Sequence, residues 1–165
     1  MLPAPSAVST GARVERLNHW LDPEAKGRLL AAAREYGVTP AAALAAAFAA
    51  TVGAWSAEPE FLLNVPLFQR RPVHPEIDRV SGDFSSSILL DVDVTDPGSI
   101  LDFTREVQRT MHVAGAHGAY GALDVLRDLG RRRGEQVLAP VVFTSALGLG
   151  ELFAPEVSER LGAAA

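Results

Sequence analysis

The sequence predicts an α/β protein built as a layered sheet with helices, and three observations predict it. Short apolar or alternating runs, "EFLLNVPLF", "FSSSILLDVDV" and "PVVFTS", have the length and composition of strands. Between them lie runs whose apolar residues recur every three to four positions, as a helix requires. The chain is 165 residues long with 48% hydrophobic and 21% charged residues, which suits one folded domain with a core and argues against disorder.

Residues 1–12 are small, polar and proline-containing and are read as a flexible leader. "LDPEAKGRLLAAAREYG" then carries a full set of helix signals: Asp22 as N-cap, Pro23 in the first turn and Gly37 to end it. Its apolar stripe is Ala25, Leu29, Ala33 and Tyr36. "VTPAAALAAAFAATVGAWS" repeats the pattern with Thr39 and Pro40. Leu44, Phe48, Val52 and Trp55 fall on one face and alanines cover the rest, so this helix is expected to be packed on several sides.

"EFLLNVPLF" reads as a strand, and its Pro66 predicts an edge or a bulge. "QRRPVHPEIDRVSGD" is a long loop. "FSSSILLDVDV" is a second strand, ended by Asp96-Pro97. "SILDFTREVQRTMHV" is amphipathic on Ile100, Phe103, Val107 and Met111. After the small-residue stretch "AGAHGAYGA", the helix "LDVLRDLGRRRG" stops at Gly134, and "PVVFTS" is the third strand. The predicted order is ααββααβ, without an internal repeat.

Several function classes are disfavoured. The formal net charge is −5, and the one basic cluster, Arg131-Arg132-Arg133, falls at a helix end where it complements the helix dipole, so no nucleic-acid partner is expected. The chain has no cysteine, which removes disulfides and thiolate chemistry and makes the cytoplasm the default location. No secretory signal is visible, and "TPAAALAAAFAATVGAW" is shorter than the roughly 20 residues of a membrane span, so no membrane partner is expected. No histidine pair has a metal-binding spacing with carboxylates, and Gly148 and Gly150 are too sparse for a phosphate loop.

Three stretches carry a resemblance. "FLLNVPLFQRRPVHPEIDRVSGDFSSSILLDVDV", the helix "GVTPAAALAAAFAATVGAWS" before it and "PVVFTSALG" after it stand in one order with consistent gaps. Together they resemble the heterocyclization domains of nonribosomal peptide synthetases, members of the condensation-domain superfamily. The match runs from about residue 13 to about residue 150. It implies one lobe of the two-lobed, chloramphenicol-acetyltransferase-like fold, with residues 13–165 forming a partial C-terminal lobe. The family's first lobe, and a later segment that carries a catalytic aspartate, would fall outside this chain, so the chain alone is expected to be inactive.

The implied reaction joins an acyl chain to a cysteinyl, seryl or threonyl group and closes the side chain onto the new amide with loss of water, giving a thiazoline or oxazoline. Both substrates ride on the 4′-phosphopantetheine arms of carrier proteins. The implied partners are therefore those carriers and the missing N-terminal lobe, and no cofactor is bound by the chain itself. "DVDVTDPGS", Asp91 to Ser99, matches the family's DxxxxDxxS motif literally, but it stands at a strand-to-helix connection and is read as a turn with Ser99 as helix cap.

The resemblance places a catalytic hydroxyl at Thr144; a threonine also simply suits a strand. Ser145 is either a substrate-binding hydroxyl or a turn residue. Asp83 of "GDFS" is the most family-like acid, read as the catalytic carboxylate or as a loop acid that caps a turn or pairs with Arg70 or Arg79. Gln69 stands where the family has asparagine and is assigned to substrate binding. His117 replaces the centre of a charged family stretch, keeping the histidine but losing both acids and the arginine; it too is assigned to substrate binding. His74, between two prolines, is read as a rigid-loop residue with Arg70, the alternative being a proton carrier. Ser85 replaces the family's threonine. Two other readings stay open: a non-catalytic lobe that docks carriers or a partner, and a lobe of an ordinary amide-forming condensation domain.

Overall fold

Asp22, Thr39 and Ser99 each accept a hydrogen bond from the backbone N–H three residues on, at 2.7, 3.1 and 3.1 Å. Each bond satisfies one of the free donors at a helix start, so the three helices begin where their cap residues stand. The computed structural model describes residues 15–68, 72–96 and 98–147. Its elements are α1 (Pro23–Glu35), α2 (Pro40–Trp55), β1 (Glu60–Phe68), β2 (Ser85–Asp93), α3 (Ile100–Ala116), α4 (Ala122–Arg133) and β3 (Val141–Val142). That is the predicted order. A single 3₁₀ turn, Ile77–Arg79, lies in the long loop, where three residues are too few to leave a period. Gly134 ends α4 at φ 70°, the left-handed conformation that favours glycine.

The sheet has the order β2-β1-β3. β1 and β2 pair antiparallel from Glu60↔Asp93 to Phe68↔Ser85, and β3 runs parallel to β1 with Leu63↔Val141 and Asn64↔Val142. Side chains alternate along each strand. Phe61, Leu63 and Val65 therefore share one face with Ile88, Leu90 and Val92, and α2 and α3 cover it. Leu63 and Leu90 lie opposite each other and are fully buried. The other face carries Leu62 and Asn64, which share clefts with residues of α4.

Three expectations need correction. In α2 the buried residues are Ala42, Ala45, Ala46, Ala49 and Gly53, while Phe48 is 36% and Trp55 85% exposed. Phe48 and Trp55 point outward, and only Val52 of the expected stripe packs on the core, because the small face lets the helix backbone approach the sheet more closely than Leu or Phe would allow. Ile100 is likewise exposed rather than part of the α3 stripe, while Phe103 and Val107 are buried as expected. β3 pairs over only Val141–Val142, where the sequence predicts a strand through Ser145.

Pro66 explains the short β3. β1 is the central strand, so Pro66 is not on a sheet edge in the simple sense. Phe143 donates its N–H to the Asn64 carbonyl at 2.9 Å, and the next bond of a parallel ladder would run from residue 66 to the Phe143 carbonyl. Proline has no N–H to give. The β1–β3 ladder ends there, and past that point β1 is locally an edge.

The close approach of α2 gives a direct test. A Cβ placed on Gly53 would lie 2.4 Å from Val94 Cγ2, far inside van der Waals contact. Gly53→Ala is expected to lower stability by about 1–2 kcal/mol despite the better helix propensity of alanine, read from chemical denaturation. A stabilised variant would show that this contact is not tight.

Candidate functional site

β3 carries its residues past the last ladder bond toward one end of the sheet. Val141 and Phe143 are half-buried and pack against the core, with the Phe143 ring 5.6 Å from that of Phe48 and tilted by 39°. Val142 and Thr144 alternate to the other side, and both are exposed. Thr144 is thus anchored by two packed neighbours while its own hydroxyl is open to a ligand. Ser145 accepts the Leu147 N–H at 3.3 Å and holds a turn.

The loop from β1 to β2 leaves the sheet at the same end, because Phe68 pairs with Ser85. Asp83 is exposed and accepts both the Ser85 N–H at 2.8 Å and the Ser85 hydroxyl at 2.5 Å. These two bonds, the hydroxyl first, hold its carboxyl below the ordinary aspartate range. Ser85 keeps the hydroxyl that the family's threonine would supply. Asp83 does not pair with Arg79, which bonds Glu76 at 2.9 Å. Asp83 precedes β2 and Thr144 follows β3, with β1 between those two strands, and no hydrogen bond joins the two residues among the described ones.

His74 is exposed, and its Nδ1 accepts the Glu76 N–H at 3.1 Å, which fixes the loop between the two prolines. His117 caps the C-terminus of α3, and its Nδ1 lies 2.8 Å from the Val113 carbonyl. A carbonyl can only accept, so Nδ1 carries the proton and Nε2 of the neutral ring is left as an acceptor. A Cβ on the adjacent Gly118 would lie 3.2 Å from Leu67, which places His117 at the same end of the sheet as Thr144. Gln69 and Arg70 lie outside the described residues, as do residues 1–12.

A cleft of about 440 Å³ opens between β1, the start of β2 and the start of α4, lined by Asn64, Pro66, Ser85, Ser86, Ser87 and Gly121 among others. Asn64 was missed by the sequence reading. It is the one amide in an otherwise apolar strand, and its Oδ1 is buried with no hydrogen-bond partner. That polar residue within "LLNVPL" was the available signal. Among the described residues no group of three His, Cys, Asp or Glu could hold a metal ion, and no single helix is long and apolar enough to cross a membrane.

A mixed sheet with helices on both faces, with an exposed hydroxyl past its third strand, defines an α/β lobe. The chain belongs to the condensation-domain family, whose model matches residues 2–157. It is 54% identical to a phenyloxazoline synthase, MbtB, of Mycolicibacterium paratuberculosis over 98% of this chain and 14% of that protein. It is 39% identical to the pyochelin synthetase PchF of Pseudomonas aeruginosa over 87% of this chain and 8% of that protein. Among solved structures, the cyclization-docking bidomain of EpoB from Sorangium cellulosum superposes with a TM-score of 0.76 at 38% identity, covering 90% of this chain and 31% of that one. The likeness is thus to the cyclizing branch of the family, and the chain spans a small part of each relative's length.

Asp83 supplies a test of the loop geometry. Its folded pKa is depressed, so its bonds to Ser85 contribute above the unfolded pKa and are lost as pH falls through the folded one. Ser85→Ala removes the larger cause, and the Asp83 carboxyl midpoint followed by NMR is expected to rise toward the ordinary aspartate value. An unchanged midpoint would show that the cap does not hold the acid.

Proposed function

We propose that residues 13–165 are a partial C-terminal lobe of a heterocyclization domain. In this reading the complete domain condenses a carrier-bound acyl thioester with a carrier-bound aminoacyl thioester. It then cyclodehydrates the product to a five-membered ring. The observation that carries the reading is the exposed Thr144 hydroxyl at the end of "PVVFTS", held by Val141 and Phe143 on the opposite side. The relative named for a phenyloxazoline favours an oxazoline, and hence a seryl or threonyl substrate, because the ring oxygen has to come from a hydroxyl.

The chemistry sets what the site must do. In condensation the amine attacks the thioester, a C–N bond forms and the carrier thiol leaves. In ring closure the side-chain hydroxyl attacks the new amide carbon, and the carbonyl oxygen becomes a hydroxyl on a tetrahedral centre. Dehydration then breaks that C–OH bond while the ring nitrogen gives up its proton, so the two leave together as water and a C=N bond forms. Thr144 is assigned to hold the departing oxygen or relay its proton. Asp83, kept in its carboxylate form by Ser85, is assigned as an acceptor that reaches the reaction only through bound substrate or water. Gln69, Ser145 and His117 keep their assignment to substrate binding, His117 through Nε2.

A second reading is favoured by one observation. On α2, Phe48 is 36% exposed with its ring 5.6 Å from that of Phe143 just past the edge strand β3, and Trp55 is 85% exposed. A partner-docking face has this character, and the remaining part of the same domain is the simplest partner.

The test combines the chain with a complementary first-lobe portion and with acyl- and seryl-loaded carrier proteins, and follows products by mass spectrometry. Thr144→Ala is expected to reduce dehydrated product by about 10²-fold or more while linear amide still forms. Undiminished dehydration would remove Thr144 from the mechanism. Formation of linear amide alone by the unaltered chain would favour an ordinary condensation lobe.

A further inference from the structure

Val142 is 49% exposed although it is paired into the sheet opposite Asn64 of the central strand. Its neighbours Val141 and Phe143 turn to the other side and pack against the core, with the Phe143 ring on Phe48. Val142 and Thr144 are therefore successive side chains on one side of the same segment, about 7 Å apart along it. The backbone at Val142 is fixed by the ladder register, and the bond from the Phe143 N–H to the Asn64 carbonyl closes the ladder directly after it. The branch at Cβ restricts χ1, so its two methyl groups make a rigid apolar wall. The helix on that face, α4, packs against β2 at the opposite edge of the sheet. A single exposed valine is ordinary on a protein surface. One set two residues before the hydroxyl assigned to the reacting carbon is placed to touch whatever that hydroxyl holds.

We propose that Val142 is a specificity-determining residue: it faces the β-carbon of the aminoacyl group and sets the choice between a seryl and a threonyl substrate. This rests on the ring-forming reading above and adds which atom of the substrate the strand measures. In the cyclized adduct, the carbon that loses its hydroxyl is separated from the former β-carbon only by the ring oxygen. The chain turns after Thr144, where Ser145 holds the Leu147 N–H, so the surface beside the Thr144 hydroxyl is the Val142 side. Over an interval of about 7 Å, a substrate oxygen bonded to Thr144 at about 2.8 Å brings the groups beside it within an apolar contact distance of about 4 Å from Val142. A seryl group presents only hydrogen there, and a threonyl group presents a methyl. Because the valine is rigid, the room for that methyl varies inversely with side-chain volume at position 142. One methylene in an apolar pocket discriminates substrates by about 10–200-fold, and a half-open wall belongs at or below the lower end of that range.

The experiment supplies the chain and its complementary first-lobe portion with an acyl-loaded carrier and an equal mixture of seryl- and threonyl-loaded carriers. Mass spectrometry separates the two rings, which differ by one methyl group. Val142→Ala is expected to raise the ratio of methyl-bearing to unsubstituted ring by about fivefold, and Val142→Phe to lower it by a similar factor. Opposite shifts from a smaller and a larger residue cannot come from a misfolded lobe, which lowers both rings together. Where the unaltered chain forms rings, a ratio that holds in both variants, or moves the same way in both, would overturn this proposal alone and make Val142 a packing residue. Linear amide without any ring from the unaltered chain would overturn the ring-forming reading and this proposal with it.

Discussion

The bond from the Phe143 N–H to the Asn64 carbonyl is the constraint on which the site depends. It is the last backbone tie between β3 and the central strand, and Pro66 forbids the next one. A ladder that ran on would fix Thr144 in register beside residue 66. A ladder that ended sooner would leave Phe143 without the tie that sets its ring on Phe48. The strand is held tightly up to one residue before the hydroxyl and released after it. Held and released segments in direct succession are what a reactive side chain needs, since its base must not move and its tip must reach a ligand.

Behind that strand stands the alanine face of α2. Ala45, Ala46 and Ala49 lie against Phe61, Leu63 and Val65 of β1 and their partners on β2. Small residues there bring the helix down until Gly53 meets Val94 with no room for another methyl group. Packing at such density resists displacement, so β1 transmits a fixed position to β3. The same arrangement leaves Phe48 and Trp55 on the outer side of the helix, while Val52 still packs against the core. Phe48 is used at once, as the platform for Phe143, while Trp55 is left exposed.

Much of the fold was legible because its signals are local. The caps Asp22, Thr39 and Ser99 act within one turn, and strand alternation in "EFLLNVPLF" and "FSSSILLDVDV" fixes which side chains face inward. The α2 stripe was misread because a helix that is apolar all round has no intrinsic inner face. Only the distance to the sheet selects the small side over the large one. The end of β3 was misread for a similar reason: the residue that stops it, Pro66, is about 75 positions earlier in the chain. The assignment of Thr144 rests on the family motif, since a threonine at a strand end carries no chemical mark of its own. Asp83 was legible as an acid, but its bonds to Ser85 depend on a turn that spacing alone does not specify.

The departures from the family wording are unequal in consequence, and the geometry ranks them. Ser85 keeps the hydroxyl that bonds Asp83, so exchange of threonine for serine leaves the acid's charge state supported by the same donor. The stretch around His117 loses its acids and arginine, yet the imidazole is still oriented, because its Nδ1–H donates to the Val113 carbonyl, a backbone acceptor that no side-chain substitution removes. This end of the sheet is accordingly rich in hydroxyls and amides, with Asn64, Ser85, Ser86 and Ser87 lining one cleft, Thr144 exposed past β3 and Asp83 a carboxylate two residues before β2. Groups of that kind orient neutral amides and hold a leaving oxygen well, and they are poor at removing protons. A reaction whose final step expels water from a neutral adduct therefore fits the orienting half of the work, and the proton-transferring half falls to groups brought by substrate, water or the rest of the domain.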